Sequence, residues 1–166
     1  MIAQLAVFPF VLSLIISAAV TYLTIMLYKS LGLIDKSTKK QHAKHIHTKP
    51  VPRGGGIPIF FAMLFAALTF AKMDVQIAGI LAGALIIMIT GVMDDIFDIS
   101  PYLRLGIGVL AALIVVSTGI GIDYVSNPLG IGVIHFNMKV VADLLTILWI
   151  VWGMNFVNMG AKGLDG

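Results

Sequence analysis

Cysteine is missing from the 166-residue chain. Disulfides and thiolate metal sites are therefore excluded, although the absence identifies no compartment. Charge is scarce as well. Only 11% of the residues are charged, where soluble domains carry about a quarter. No Lys or Arg precedes the first apolar stretch, which runs to about Tyr28. A stretch that long, without a basic start, reads as a retained first span and not as a cleaved signal peptide. Internal repeats and disordered low-complexity tracts are also missing. What is present is apolar: 59% hydrophobic residues and a mean hydropathy of +1.02. The chain reads as an integral membrane protein forming one polytopic domain over residues 1–166.

An apolar run of about 17–25 residues can cross a bilayer as a helix. Five candidates lie at approximately 3–28, 55–71, 75–93, 104–120 and 139–157. The second is short, and the fourth is rich in glycine, which is common in membrane helices. Cations sort sharply between the connections. Lys29, Lys36, Lys39, Lys40, Lys44, Lys49, Arg53, Arg104 and Lys162 fall on one side, against Lys72 and Lys139 on the other. The positive-inside rule then puts the N-terminus outside and the C-terminus in the cytoplasm. The expected fold class is all-α, with about five transmembrane helices. A short β-hairpin is expected on the periplasmic or extracellular side, in the segment 121–138. There "SNPLG" is a turn signal flanked by β-branched residues.

Parity places three polar segments on the cytoplasmic face. The first, residues 29–53, ends in "HTKPVPRGGGIPIF". Lys49 and Arg53 flank two prolines that stiffen the chain, and Gly54, Gly55 and Gly56 allow close backbone approach at a helix start. That combination suits a phosphate. A basic loop held near anionic lipid is the plainer reading. His42, His45 and His47 could bind metal, or face solvent or phosphate.

The second segment, "GVMDDIFDIS", sets Asp94, Asp95 and Asp98 at the end of the third span. A helix C-terminus disfavours negative charge, so structural convenience does not explain the cluster. Crowded carboxylates raise one another's pKa or recruit a divalent cation. Either property suits phosphate chemistry, as a proton acceptor or as an anchor for Mg²⁺. A solvated interfacial turn is the alternative, and Asp98 is the residue that best suits a plain helix end. The third segment, "WGMNFVNMGAKGLDG", puts Asn155 and Asn158 one turn apart in an apolar helix, where an unbonded amide costs free energy. Bonding between helices is the alternative reading. Asp165 sits in a tight polar turn.

Taken in order, "HTKPVPRGGGIPIF", "GVMDDIFDISPYLRL" and "NFVNMGAKGLDG" resemble the polyprenyl-phosphate N-acetylhexosamine-1-phosphate transferases. The first-loop pattern is similar to the undecaprenyl-phosphate GlcNAc-1-phosphate transferase branch more than to phospho-MurNAc-pentapeptide transferase. The resemblance implies that a UDP-N-acetylhexosamine and a polyprenyl phosphate react with Mg²⁺, or Mn²⁺ in its place, on the cytoplasmic face of the plasma membrane. The products would be a polyprenyl diphosphate-sugar, which starts a cell-envelope glycan such as lipopolysaccharide or teichoic acid, and UMP. It implies that Asp94 or Asp95 is the base acting on the lipid phosphate. Asn158 would be a Mg²⁺ ligand, and Asn155 and Asp165 would lie on the substrate side. Lys49 and Arg53 are expected to hold the nucleotide diphosphate. The resemblance leaves room for a homodimer, and no nucleic-acid partner is expected.

The tail departs from the family's N-x-x-N-x-x-D-G-x-D-G by one extra residue, and Lys162 stands where the first Asp would be. The chain is expected to be the N-terminal half of such an enzyme. An intramembrane prenyltransferase is a rival, since "DDIFD" fits D-D-x-x-D, but no second such motif is present. An inactive membrane fragment is the non-enzyme rival.

Overall fold

A computed structural model describes the backbone of residues 2–33, 54–127, 130–136 and 138–163; the side chains of 2–6 and 158–163 lie outside the description. Five helices follow one another: α1 (Ile2–Ser30), α2 (Gly56–Phe70), α3 (Val75–Phe97), α4 (Pro101–Ser117) and α5 (Lys139–Gly163). Between α4 and α5, strands β1 (Tyr124–Ser126) and β2 (Val133–His135) pair antiparallel, with Val125 opposite Ile134.

Among the described residues, three helices are long and apolar enough to cross a membrane, at Val7–Ser30, Val75–Phe97 and Lys139–Val157. The other two expected spans are apolar but shorter, with 15 residues in α2 and 17 in α4. At 1.5 Å per residue they reach roughly 22 and 25 Å, against a hydrocarbon core of about 30 Å. Local signals stop them. The residue after α2, Ala71, is extended, and Asp74 already caps α3 by accepting from Ile77 N at 2.8 Å. At the end of α4, Gly119 takes φ +89.

The boundaries of the third and fourth spans also differ from the sequence expectation. Expected to end near 93, α3 runs on to Phe97, so Asp94 and Asp95 lie inside its last turn. Asp98 is the cap, in the left-handed region at φ 49, a conformation Asp tolerates better than most residues. Expected from 104, α4 starts at Pro101 behind Ser100, whose hydroxyl accepts from Leu103 N at 3.3 Å. Proline at the first helical position costs no hydrogen bond. The α3–α4 connection is therefore only Asp98, Ile99 and Ser100, which forces the two helices into an antiparallel pair.

Small residues let that pair close. Gly79 and Gly83 form a G-x-x-x-G stripe on α3. A Cβ on Gly83 would lie 3.0 Å from Val115 Cγ2 and 3.3 Å from the Ala111 carbonyl. Such stripes suit helices in lipid, where close packing replaces the hydrophobic drive between them. Nearer the start of α4, Gly108 meets Met154 of α5, whose Cε lies 3.1 Å from where a Cβ would be. The helices thus neighbour one another in chain order, α1 on α2, α2 on α3, α3 on α4 and α4 on α5. Large apolar side chains such as Phe8, Leu14, Ile59, Trp149 and Phe156 point outward, while the buried set is dominated by Ala, Gly and Thr. Thr24, Thr69, Thr90 and Thr146 each donate to the carbonyl four residues earlier. A hydroxyl without water must find such a partner.

Candidate functional site

The short α3–α4 turn decides the first contact. Asp94 stands four residues before Asp98 and Arg104 four residues after Ser100, so both lie one turn away from the connection on facing helices. The Arg104 guanidinium Nη2 donates to Asp94 Oδ1, and each side chain is 25% exposed. Half-buried ion pairs of this kind lose hydration that their attraction only partly repays. Arg104 Nε is fully buried and has no hydrogen-bond partner among the described residues.

The pair borders a cavity of about 230 Å³ between α3, α4 and α5. Its walls are Ile87, Thr90 and Gly91 of α3, Leu105 and Gly108 of α4, and Met154 and Asn155 of α5. Asn155 donates through Nδ2 to the Val151 carbonyl at 2.8 Å, which satisfies one amide hydrogen within its own helix. The structure thus joins Asp94 and Asn155, two residues singled out by the sequence, and adds Arg104, which the sequence marks as a cation and as part of the "GVMDDIFDISPYLRL" motif but not as a site residue. The equal spacing of Asp94 and Arg104 about a Ser-Pro turn was the signal available for that pairing.

Asp95 takes a different direction. Neighbours in a helix are rotated by about 100°, and Asp95 faces α1, where the Tyr28 hydroxyl donates to its Oδ2 at 3.2 Å. Tyr28 was not among the expected site residues; a polar aromatic at the end of an apolar span was the only clue. Asp98 is exposed at the helix end, and its backbone N–H donates to the Asp94 carbonyl at 2.9 Å. Lys49, Arg53 and Asp165 lie outside the described residues. Asn158 falls on α5, one turn beyond Asn155, with its side chain outside the description.

Among the described residues no three His, Asp or Glu side chains converge as a metal cage. Asp94 and Asn155 offer a carboxylate and an amide oxygen at one cavity. That donor set fits Mg²⁺, which typically takes one or two protein oxygens and completes its shell with water and substrate phosphate.

A larger cavity of about 480 Å³ lies at the opposite end, lined by Gly119, Gly121, Asp123, His135, Phe136, Lys139 and Asp143. It is built by the loop after α4, the β1–β2 hairpin and the start of α5.

Residues 77–166 match the model of glycosyl transferase family 4. The chain is similar to a probable undecaprenyl-phosphate N-acetylglucosaminyl 1-phosphate transferase of Bacillus subtilis strain 168, with 30% identity over 96% of this chain and 43% of the relative. An undecaprenyl-phosphate alpha-N-acetylglucosaminyl 1-phosphate transferase of Pasteurella multocida strain Pm70 is 30% identical over 72% of this chain and 34% of its own length. A decaprenyl-phosphate N-acetylglucosaminephosphotransferase of Mycolicibacterium smegmatis is 26% identical over 90% of this chain and 39% of its own length. The chain thus spans less than half the length of these relatives. No solved structure matches it.

Proposed function

Because the chain belongs to glycosyl transferase family 4, we propose that it serves a membrane phosphotransferase that moves a sugar 1-phosphate from a UDP-N-acetylhexosamine to a polyprenyl phosphate. The observation that carries this reading is the meeting of Asp94, Arg104 and Asn155 at one cavity among apolar helices. An oxygen of the lipid phosphate attacks the sugar-linked phosphorus of the donor. The new diphosphate bond forms as the old one breaks, and UMP leaves.

Two demands follow from that chemistry. The attacking phosphate monoester has a second pKa of about 6, so near neutral pH a modest base completes its ionisation. Asp94 or Asp95, at the end of an apolar helix, supplies that base while the polyprenyl chain stays in the bilayer. Two anionic phosphates must also approach each other. Arg104 brings a guanidinium and carries a donor that no described protein group uses. Lys49 and Arg53 add charge from the first loop and hold the diphosphate of the donor. Asp165 and Asn155 serve the substrate side. Mg²⁺, or Mn²⁺ in its place, would be held by Asn158 with the Asp94 and Asn155 oxygens, and when bound it neutralises charge on the diphosphate.

The reaction face is cytoplasmic, by the nine-to-two distribution of the cations named above. The product begins a cell-envelope glycan at the plasma membrane.

The test is direct. The full gene product in detergent, given radiolabelled UDP-GlcNAc and undecaprenyl phosphate, should release UMP and carry label into the organic phase. Chelation of Mg²⁺ should abolish both. Folded protein that transfers no label from any UDP-N-acetylhexosamine would remove the reading.

A further inference from the structure

Tyr28 is 2% exposed, and among the described residues it is the largest side chain buried so completely. Its backbone is fixed by the end of α1. Leu33 N donates to the Tyr28 carbonyl at 2.9 Å and Gly32 N to that of Lys29 at 3.3 Å, with Gly32 at φ +68. This is the glycine-dependent helix stop in which both terminal carbonyls are satisfied. The ring then lies against Gly54. A Cβ there would stand 2.6 Å from Tyr28 Cζ, and Gly54 takes φ +95, which other residues rarely adopt. The hydroxyl reaches across 67 residues of sequence to Asp95 Oδ2. One side chain therefore joins the end of α1, the glycine that follows Arg53, and the second of the paired aspartates.

We propose that Tyr28 is a positioning residue, which holds the Asp95 carboxylate in a fixed direction beside the glycine lead-in to α2. The proposal rests on the transferase reading above. A phenylalanine would fill the same space, so packing alone does not require the hydroxyl. A buried hydroxyl needs a partner, and this one has a carboxylate. With Arg104 on Asp94 and Tyr28 on Asp95, the two adjacent carboxylates are turned apart, one toward α4 and the other toward α1. Each is thereby held in its own orientation. A displacement on the order of 1 Å at a reacting group can cost a large rate factor.

The experiment compares Tyr28→Phe, Asp95→Asn and the double variant in the full gene product, per amount of monodisperse enzyme. Tyr28→Phe should lower kcat at least about tenfold while KM for UDP-GlcNAc stays within about twofold. In the Asp95→Asn background, Tyr28→Phe should cost nothing further, because the group it positions is already lost. A packing role predicts instead equal losses in both backgrounds. Full kcat in Tyr28→Phe, or an undiminished loss in the double variant, overturns the proposal. Full activity in Asp95→Asn would instead overturn the use of Asp95 itself. Should Tyr28→Phe fail to fold, the phenol has a structural role that this proposal does not grant it, and the proposal fails on that ground.

Discussion

The two ends of the helical array each present a cavity bordered by carboxylates, yet they are made of different material. At the hairpin end the cavity is about twice as large, and loop, strand and helix start all contribute to it. Asp123, Asp143, His135 and Lys139 gather there without an ion pair among the described residues. At the aspartate end the walls are three packed helices, the space is smaller, and an Asp–Arg pair is half-buried in it. The contrast teaches that volume is a poor guide to chemistry. Charges on a wet loop cost almost nothing to keep. A charge pair sunk between apolar helices costs free energy, and intramembrane ionisable residues are by default functional.

The largest expected effect tests that contrast head-on. Asp94→Asn or Asp95→Asn in the full gene product should lose turnover by about 10²–10⁴-fold for whichever carboxylate is the base. The residual rate should recover as pH rises above the lipid phosphate's second pKa of about 6, where the phosphate ionises unaided. Asp123→Asn and Asp143→Asn should stay within about twofold of the parent. Comparable losses at both ends would erase the distinction drawn here. A carboxylate that steers Mg²⁺ behaves differently: its Asn variant should show a raised Mg²⁺ requirement and little recovery with pH.

A smaller effect is expected on stability. Arg104→Leu strands Asp94 in a half-buried setting, and should destabilise by roughly 1–3 kcal/mol. Thermal unfolding in detergent reads this as a fall of a few degrees. Adding Asp94→Leu should return most of that stability while activity stays lost. If the double variant is no more stable than the single one, a stranded Asp94 charge is not what the loss of Arg104 costs.

A topological check sharpens the same comparison. The chain has no cysteine, so single cysteines can be introduced at Ser100 and at Tyr124 and probed in intact cells. Ser100→Cys should react only from the cytoplasmic side and Tyr124→Cys only from outside. Labelling of both from one side would end the assignment of the two ends to opposite faces.

The smallest effect belongs to the hairpin end. Thr146 is buried, donates to the Ala142 carbonyl and accepts from Ile122 N at 2.8 Å, which fastens the hairpin lead-in to α5. Thr146→Val removes that acceptor and should cost about 1 kcal/mol, seen as faster exchange of the Ile122 amide, with transferase activity unchanged.

Much of this was legible in the residues themselves. Apolar run length located the five described helices, four of them within a few residues and α5 six residues short of its end, because a chain in lipid must bond its backbone internally and has few other choices. The motifs carried the family, and "DDIFDISP" marked the end of α3 and the short connection to α4. The sequence showed in its residues that the second span is short, but it could not say that α4 would stop at Ser117, since that depends on the turn at Gly119. Nor could it say which way each carboxylate would point. Adjacent aspartates are equivalent on paper, and only packing sends Asp94 to Arg104 and Asp95 to Tyr28. For Asp94 the partner is local, ten residues away across a three-residue connection. For Asp95 it is Tyr28, 67 residues earlier at the end of α1, and one-dimensional spacing does not encode that meeting.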